Sequence, residues 1–382
     1  MIKVESNFDS GAIEVLEISE PLNMRLNIRC DTASEFRQWF CFKVVGKRNQ
    51  NYLIRLCNYL ETTYTDGFHD YNVFVSTDFK NWTRVKCHTD EDDFCIPYTS
   101  QTDFFYVSYF EPYTWDRHLE LINLASTSGI ARVETWGTTK ENRPISAIIV
   151  DDTNNSGKKK MWLIARQHPG ETMAEFFMEG FIQRLLDPTD GSSSELCKLC
   201  SFYLVPNMNP DGSVNGNLRT NSAGKNLNRE WLNPSSDGSP EVLCVRNHMH
   251  EIGVDCFFDV HGDESIPYVF TDPCLENSEG NNATEIMTER EHHLLKSLEK
   301  QCTDFQYSVG YAPGHYPKEE IMSMARGYVQ ETFSCPAITL EMPFKYHTPN
   351  RNDQTGWTAK KSIGLGKEWI DGLLAYLKNP LK

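Results

Sequence analysis

Two histidines and a glutamate have the side-chain types and the positions of a metal site. His168 and Glu171 lie three residues apart in the segment RQHPGE, between an apolar run and a helical pattern. His261 follows the apolar segment CFFDV, and open α/β sheets place their sites beyond such strand ends. Two imidazoles and one carboxylate leave a fourth position for water, which is typical of a catalytic zinc site. Each residue alone also fits an ordinary loop side chain, so the zinc site depends on the motifs that accompany it.

The elements that must position these residues begin after residue 113. Apolar runs of strand length cover 145–150, 161–165, 202–205, 256–260 and 337–340, and they alternate with helical patterns over 116–126, 171–186, 240–253, 285–302 and 363–377. Such alternation predicts an α/β domain, residues 114–382, with a largely buried sheet.

The preceding residues, 1–113, have a different pattern. Short alternating or apolar runs, separated by turn-rich pieces, cover 24–28, 40–45, 52–56, 71–75 and 104–109. Several short strands at close spacing predict a small antiparallel β-sandwich domain. No catalytic constellation is visible in this stretch.

The composition and the charge limit the function classes. The 382 residues are 39% hydrophobic and 12% aromatic, which is enough for two domains with buried cores. A formal net charge of −16 argues against non-specific binding to nucleic acid or to an anionic membrane. The N-terminus lacks the apolar core of a signal peptide, and no run approaches the ~18 apolar residues of a membrane span. The 12 scattered cysteines are therefore expected to be free thiols of a cytoplasmic protein.

Further motifs follow the HPGE segment in order along the chain. They are NPDG (209–212), NLNREW (226–231), DVHG (259–262) and TLE (339–341). The ordered set resembles the funnelin-type zinc metallocarboxypeptidases, and it is most similar to their cytosolic carboxypeptidase branch. Members of that branch carry a β-sandwich before the peptidase domain, and the segments RQWF (37–40) and YFEPYT (109–114) resemble theirs. The resemblance implies a mixed-sheet α/β/α carboxypeptidase domain that binds one Zn2+ and hydrolyses the C-terminal peptide bond.

Peptide hydrolysis also needs a base, a group that stabilises the developing oxyanion, and a group that selects the chain end. Glu341 ends an apolar strand pattern, where burial raises the pKa of a carboxylate, and the resemblance makes it the general base. Arg219 matches the family arginine that polarises the scissile carbonyl. Asn228 and Arg229 match the pair that binds the substrate's terminal carboxylate, which a planar guanidinium can hold bidentately. The alternatives are a plain strand-end carboxylate for Glu341 and surface ion pairs for the arginines.

Two positions fit the family pattern less well. The family tyrosine that closes over the substrate is assigned to Tyr316, with Tyr311 of the same loop as an alternative. Many members have an aspartate two residues before the Asn-Arg pair, where it orients a ligand histidine, but this chain has Asn226. An amide still accepts a hydrogen bond from an imidazole N–H, yet it adds no negative charge, so the ligand should be slightly less basic.

Arg326 is the candidate for the bottom of the specificity pocket. In the family, a residue about fifteen positions before the catalytic glutamate lies there, and an ungapped count back from Glu341 reaches Arg326. A basic residue at this place in the cytosolic branch is associated with acidic C-terminal residues. A buried arginine needs an anionic partner, and a substrate carboxylate provides one. The resemblance thus implies deglutamylase-like removal of C-terminal glutamate, unless Arg326 pairs with an internal carboxylate such as Glu319 or Glu320.

The expected partners are peptide or protein C-termini, in particular acidic ones. A zinc amidohydrolase of small N-acyl amino acids shares the ligands and the Asn-Arg clamp, but the TLE strand and the predicted sandwich favour the peptidase. A non-catalytic module that holds acidic tails is a third hypothesis. Complete retention of the ligands, base and clamp argues against that module, and only Asn226 favours it.

Overall fold

The computed structural model describes residues 2–90, 92–151, 157–273, 285–312, 315–350 and 355–379. The N-terminal strands are β1 Lys3–Glu5, β2 Glu14–Glu17, β3 Met24–Asn27, β4 Cys41–Val45, β5 Asn51–Leu56, β6 Val73–Ser76, β7 Thr83–Val85, β8 His88–Asp90, β9 Asp93–Thr99 and β10 Phe104–Ser108. Within the described residues they form two five-stranded sheets, ordered β1-β4-β10-β6-β7 and β2-β3-β5-β9-β8. The pairs are antiparallel apart from β3–β5, which is parallel. The predicted antiparallel sandwich is confirmed with this one exception.

The two sheets of the sandwich pack through alternating side chains. In β5, Tyr52, Ile54 and Leu56 are buried, whereas the residues between them are partly exposed. This is the pattern of a strand with one face on a core. The ring of Tyr52 lies 5.3 Å from that of Phe105 in β10, which belongs to the other sheet. Aromatic side chains thus join the two sheets.

The remaining chain forms one mixed sheet and its helices. Its strands are β11 Arg132–Thr138, β12 Pro144–Val150, β13 Lys159–Ala165, β14 Cys200–Val205, β15 Cys256–Asp263, β16 Phe270–Pro273 and β17 Ala337–Pro343. Its helices are α1 Trp115–Thr127, α2 Thr172–Leu185, α3 Gly191–Leu199, α4 Pro210–Asn215, α5 Pro240–Ile252, α6 Glu285–Gln301, α7 Lys318–Ser323, α8 Ala325–Phe333 and α9 Ala359–Lys378. Over the described residues the strand order is β11-β12-β14-β13-β15-β17-β16. The centre, β14 to β17, is parallel and both edges are antiparallel, so the expected mixed sheet is confirmed.

The mixed sheet lies between two layers of helices. Met161 and Leu163 of β13 belong to a core that also contains side chains of α2, α6 and α9. Trp162 and Ile164 of the same strand belong to a second core that contains side chains of α5 and α8. Because successive strand residues point to opposite faces, this division is that of a sheet covered on both sides.

Three parallel strands end side by side where the predicted site residues lie. β13 ends at Ala165, which is in register with Val260 of β15, and His261 of β15 is in register with Glu341 of β17. Arg166 follows β13 with a φ of +60°, a left-handed conformation that turns the chain sharply into the HPGE loop. The sheet therefore brings this loop, β15 and β17 together at one edge.

The thiols agree with the expectation from sequence. Every cysteine that the structure describes is a free thiol, as predicted. In the same part of the chain, none of the helices combines the length and the apolar character that a membrane crossing requires.

Candidate active site

Three side chains converge on one point at the carboxyl end of the sheet. His168 and Glu171 lie in the loop between β13 and α2, and His261 lies in β15. Glu171 is 2.7 Å from Nδ1 of His168 through Oε1 and 2.7 Å from Nδ1 of His261 through Oε2. The two Nδ1 atoms are 3.2 Å apart, and the potential ligand atoms all lie within 4.8 Å of one another. The structure thus brings together the three residues that were predicted to bind zinc.

The outer nitrogen of each histidine faces an oxygen acceptor. His168 Nε2 lies 3.0 Å from Oδ1 of Asn226, and His261 Nε2 lies 2.9 Å from Oδ2 of Asp259. In a neutral imidazole, an acceptor beside Nε2 favours the proton on that nitrogen and leaves the Nδ1 lone pair for a cation at the shared point. The expected hydrogen bond to Asn226 is confirmed. The two ligands differ, because a neutral amide supports one and a carboxylate supports the other.

The carboxylate of Asp259 is itself fixed by a buried chain of hydrogen bonds. Trp231 donates through Nε1 to Oε1 of Gln167 at 2.9 Å, and Gln167 donates through Nε2 to Oδ2 of Asp259 at 2.6 Å. All three side chains are fully buried. No function is predicted for these three residues from sequence, where the only signal is the place of Trp231 and Asp259 within the NLNREW and DVHG motifs.

The electrostatics of the cluster fit a bound cation. Burial, together with the charge of Arg219, lowers the pKa of His168 to about 3, so this imidazole is neutral. Burial also opposes protonation of His261, but the carboxylates of Asp259 and Glu171 raise its pKa well above the usual range. A positive charge is therefore favoured at this point. A divalent cation on two imidazole nitrogens and a carboxylate would supply that charge, and zinc suits this donor set.

A cavity of about 370 Å³ adjoins the cluster. Its lining includes every residue that the sequence analysis assigned to the site, namely His168, Glu171, Arg219, Asn228, Arg229, His261, Tyr316, Arg326 and Glu341. Burial raises the pKa of Glu341 well above its usual range. Its Oε2 is buried and has no hydrogen-bond partner among the described residues. A buried carboxylate oxygen that is free in this way suits a proton acceptor.

Asn228 and Arg229 lie in a short 3-10 turn, Leu227–Arg229. The guanidinium of Arg229 pairs with Glu320, with 2.6 Å between Nη2 and Oε1, and both side chains are partly exposed. Asn228 accepts through Oδ1 a hydrogen bond from the N–H of Ala325 at 2.9 Å. A partly exposed ion pair contributes little free energy, so a substrate carboxylate can replace Glu320 on Arg229.

Arg326 is buried at the same cavity, and its partner differs from those considered in the sequence analysis. Its Nη2 lies 2.6 Å from Oδ2 of Asp272 in β16, and the two side chains are 1% and 3% exposed. Arg326 therefore does pair with an internal carboxylate, as the alternative held, but the partner is Asp272 and not Glu319 or Glu320. The reason is that β16, a short edge strand that the sequence did not reveal, carries Asp272 to the cavity wall.

Both candidate tyrosines line the cavity. Tyr311 donates through its hydroxyl to Oδ2 of Asp263 at 2.8 Å. The ring of Tyr316 lies 5.6 Å from the guanidinium of Arg229, and burial raises the pKa of Tyr316 to about 12. A protonated hydroxyl beside Arg229 of the predicted carboxylate clamp favours Tyr316 as the residue that meets the substrate, which stays a prediction.

The N-terminal sandwich also reaches the cavity, which the sequence analysis missed. Tyr64 lines the cavity, and the guanidinium of Arg219 lies 5.6 Å from the ring of Tyr64 and 5.7 Å from that of Phe36. These are distances of cation–π contacts. No motif marks the two aromatic residues, because a ring contact with a residue far along the chain leaves no local pattern.

Comparisons with known proteins agree with this geometry. Residues 4–110 match the family described as the cytosolic carboxypeptidase N-terminal domain, and residues 119–358 match the family described as zinc carboxypeptidase. Cytosolic carboxypeptidase 6 of Caenorhabditis elegans is 25% identical, and the alignment covers 89% of this chain and 78% of that protein.

Two solved structures are similar over nearly the whole chain. A metallo-carboxypeptidase from Burkholderia cenocepacia is 38% identical, with a TM-score of 0.95 and coverage of 99% of each chain. A metallo-carboxypeptidase from Pseudomonas aeruginosa, in complex with (2-guanidinoethylmercapto)succinic acid, is 40% identical. Its TM-score is 0.90, and the match covers 97% of this chain and 98% of that one. Both regions of this chain thus have counterparts within single solved chains.

Proposed function

The chain belongs to the zinc carboxypeptidase family, and from this premise we propose that the metallocarboxypeptidase prefers peptides that end in glutamate. The observation that carries the preference is that two arginines besides Arg219 line one cavity with the metal-site residues: Arg229 beside Tyr316, and the buried Arg326. A C-terminal glutamate has two carboxylates. Two guanidinium groups can bind both, because each matches the planar geometry of a carboxylate.

Different residues of the cavity bind different groups of the substrate. Arg229 and Asn228 are placed to bind the terminal carboxylate, which is what restricts such an enzyme to chain ends. Arg326 is placed to receive the side-chain carboxylate of glutamate. When held by His168, Glu171 and His261, zinc supplies a Lewis acid and lowers the pKa of a water to about 7.

Glu341 carries the proton. It takes a proton from the water whose oxygen attacks the scissile carbonyl carbon, and it gives that proton to the peptide nitrogen as the C–N bond breaks. The products are one free amino acid and a shortened peptide with a new carboxylate. Because burial raises the pKa of Glu341, this side chain can hold the proton between the two steps. Arg219 donates to the carbonyl oxygen as its negative charge grows.

The buried pair of Arg326 and Asp272 is compatible with this preference. A guanidinium has five N–H groups, so the contacts of Arg326 with the carboxylate and the backbone oxygen of Asp272 leave donors for a second carboxylate. The ligand of the P. aeruginosa relative is, by its name, a succinic acid that carries a guanidino group. Such a ligand suits a site that offers both cationic and anionic partners.

The test is the stepwise digestion of peptides that are identical except for the last residue, which is Glu, Asp, Lys, Phe or Ala. Mass spectrometry should show that the zinc-loaded protein releases glutamate fastest, and Glu341→Gln should lower the rate of release about 10²- to 10⁴-fold. Faster release of another residue would contradict the glutamate preference and keep the carboxypeptidase. No release from any peptide would favour the amidohydrolase or the non-catalytic module.

A variant in the pocket sharpens the test. Arg326→Gln should lower kcat/KM for the glutamate peptide about 10- to 100-fold relative to the alanine peptide. Arg184→Gln is a matched control, because Arg184 is also an ion-paired arginine, 2.6 Å from Asp371, but it lies outside the cavity. The same ratio of glutamate to alanine release in Arg326→Gln and wild type would contradict the pocket assignment.

We further propose that the substrates are acidic peptide or protein C-termini in the cytosol. The N-terminal family and the relative from C. elegans are both described as cytosolic carboxypeptidases, which supports this compartment. The net charge of −16 disfavours nucleic acid and anionic membranes as partners.

A further inference from the structure

Asp31 of the sandwich binds the loop that carries Arg219. This residue lies between β3 and β4 and is 6% exposed. Its Oδ1 accepts a hydrogen bond from the N–H of Leu218 at 2.6 Å. Its Oδ2 accepts from the N–H of Arg219 at 2.7 Å and from that of Thr220 at 2.9 Å. One side chain of the sandwich therefore fixes three successive backbone donors of the α/β region.

The side chain of Arg219 is also held by residues of the sandwich. Its guanidinium lies 5.7 Å from the ring of Phe36 and 5.6 Å from the ring of Tyr64. Both rings belong to the sandwich region, and Tyr64 also lines the cavity. The backbone of Arg219 is thus held by Asp31, and its charged end is held by two aromatic faces.

Neighbouring contacts leave the loop little room to shift. Thr32 donates through its N–H and through Oγ1 to Oδ1 of Asn217, both at 3.1 Å. Gly224 has a φ of +76°, and a Cβ at this residue would lie 2.2 Å from the carbonyl oxygen of Ala33. Only glycine tolerates this combination of conformation and close approach. The sandwich segment 31–33 therefore lies directly on residues 217–224.

We propose that Asp31 is a positioning residue of the active site, which sets the place of the Arg219 guanidinium relative to the substrate carbonyl. The inference rests on the proposed function, in which Arg219 polarises the scissile carbonyl. An oxyanion donor is effective because it is fixed before the reaction, and a displacement of about 1 Å costs much of its effect. The sandwich is then a part of the catalytic apparatus and not an appended module.

The first experiment compares Asp31→Asn with Asp78→Asn in the full-length, zinc-loaded chain. Asp78 is a matched control, because its carboxylate also accepts two backbone N–H groups in the sandwich, from Lys80 at 2.9 Å and Asn81 at 2.8 Å. An asparagine at position 31 presents an NH2 group to backbone donors, so it should displace the loop. We expect kcat to fall about tenfold or more in Asp31→Asn, with KM within about twofold. Zinc content should stay unchanged, and Asp78→Asn should keep the wild-type kcat.

A double-mutant cycle separates positioning from general destabilisation. Arg219→Gln alone should lower kcat about 100-fold. If Asp31 acts through Arg219, then adding Asp31→Asn to Arg219→Gln should change kcat by less than about twofold. Equal losses in the two backgrounds would overturn the proposal, because Asp31 would then act on another part of the enzyme.

Amide hydrogen exchange gives a readout that needs no turnover. The backbone amides of residues 218–220 should exchange faster in Asp31→Asn than in wild type, and they should exchange at the wild-type rate in Asp78→Asn. If Asp31→Asn does not fold, Asp31→Ala replaces it. Unchanged exchange at 218–220 would overturn the proposal in an active enzyme as well. If the wild-type protein releases no residue from any peptide, the proposed function fails, and the exchange data still decide whether Asp31 holds the loop.

Discussion

The α/β region and the N-terminal sandwich contribute to the active site in different ways. The α/β region supplies the side chains to which the proposed mechanism assigns zinc binding and proton transfer, and these project from strand ends or adjoining loops: His168, Glu171, His261 and Glu341. The sandwich supplies Asp31 and aromatic rings. These contact one part of the site, namely Arg219: Asp31 binds its backbone, and the rings lie against its guanidinium. The α/β region determines the chemistry of the site, and the sandwich determines the position of the Arg219 guanidinium.

This difference implies that the two regions control separable quantities. Zinc affinity and proton transfer should respond to substitutions in the α/β region, because the ligands and their hydrogen-bond acceptors all lie there. Transition-state stabilisation should respond to substitutions in both regions, since Arg219 is held by both. A sandwich variant that changed the zinc affinity would break this separation.

The largest effect is expected in the α/β region, from Glu341→Gln. Glutamine has the size of glutamate but cannot take up the proton, so kcat should fall about 10²- to 10⁴-fold. Atomic absorption should still find one zinc per chain. The exposed Glu331→Gln on α8 is the control, and it should keep the wild-type kcat. Near-normal turnover by Glu341→Gln would mean that another group is the base.

The next largest effect is expected on zinc affinity. It depends on which of the two predicted ligand histidines, His168 or His261, has its hydrogen-bond acceptor changed. Asn226→Asp puts a carboxylate behind His168 and should strengthen zinc binding, whereas Asp259→Asn removes the carboxylate behind His261 and should weaken it. Each change should be about tenfold or more, measured by competition with a chromophoric chelator. Asp31→Asn should leave the affinity unchanged. An equal shift in Asp31→Asn would contradict the separation of the two regions.

A smaller effect, on turnover, is expected in the sandwich from Tyr64→Leu. The loss of one cation–π contact with Arg219 is worth about 1 kcal/mol, so kcat should fall about fivefold while zinc affinity stays constant. Tyr98→Leu is the control, because this half-buried ring packs on Phe105 at 4.7 Å and not on Arg219. Equal losses of kcat in the two variants would mean that the stability of the sandwich, and not the place of Arg219, sets the rate.

Secondary structure could be predicted in both regions where the side-chain pattern follows burial. The strand expected at 161–165 is β13, Lys159–Ala165, and the helix expected at 363–377 is α9, Ala359–Lys378. The ends differ because residues outside the apolar pattern, such as Lys159 and Lys160 of β13 and Lys360 of α9, continue the same backbone. Strands β1, β2 and β7 contain no fully buried residue, so they have no apolar pattern and were missed.

The candidate site was predictable only where short motifs carry it. The three predicted zinc ligands lie in such motifs, and the structure brings them together. The partner of Arg326 was not predictable, because Asp272 lies in a four-residue edge strand, which is too short to show a strand periodicity of its own. The contacts of Asp31 were hidden for a different reason: its partners are backbone N–H groups, which every residue has, so their side chains give no signal.

The smallest effect on activity is expected from a second buried carboxylate, which holds the same loop from the α/β region. Glu241, in the first turn of α5, is fully buried and accepts from Nδ2 of Asn221 at 3.2 Å through Oε2. That Nδ2 also donates to the carbonyl oxygen of Gly238 at 2.9 Å, so the carboxylate shares its side-chain partner. Burial is the dominant influence, and it raises the pKa of Glu241 to about 7.

The free energy of unfolding should consequently fall as the pH rises. The usual pKa of the glutamate is 4.5, so between this value and about pH 7 the folded chain holds a proton that the unfolded chain has lost. The contribution of Glu241 is therefore fully present below about pH 4.5, and up to about 3 kcal/mol is lost as the pH rises through 7. The side chain of Glu241→Gln stays neutral at every pH. The free energy of unfolding of the wild type minus that of the variant, measured by urea denaturation, therefore isolates the contribution of this carboxylate. A difference that is the same at about pH 5 and about pH 8 would contradict the raised pKa.

Turnover distinguishes Glu241 from Asp31, although both carboxylates bind this loop. If Asp31 sets the place of Arg219, then Glu241→Gln should keep kcat within about twofold at both pH values, whereas Asp31→Asn lowers kcat at both. This follows because Asp31 binds the backbone of Arg219 and its neighbours, while Glu241 reaches only Asn221, beyond the reactive side chain. A pH-dependent loss of kcat in Glu241→Gln would contradict the conclusion that the sandwich, and not α5, sets the place of Arg219. The guanidinium would then be positioned from α5 as well as from the sandwich.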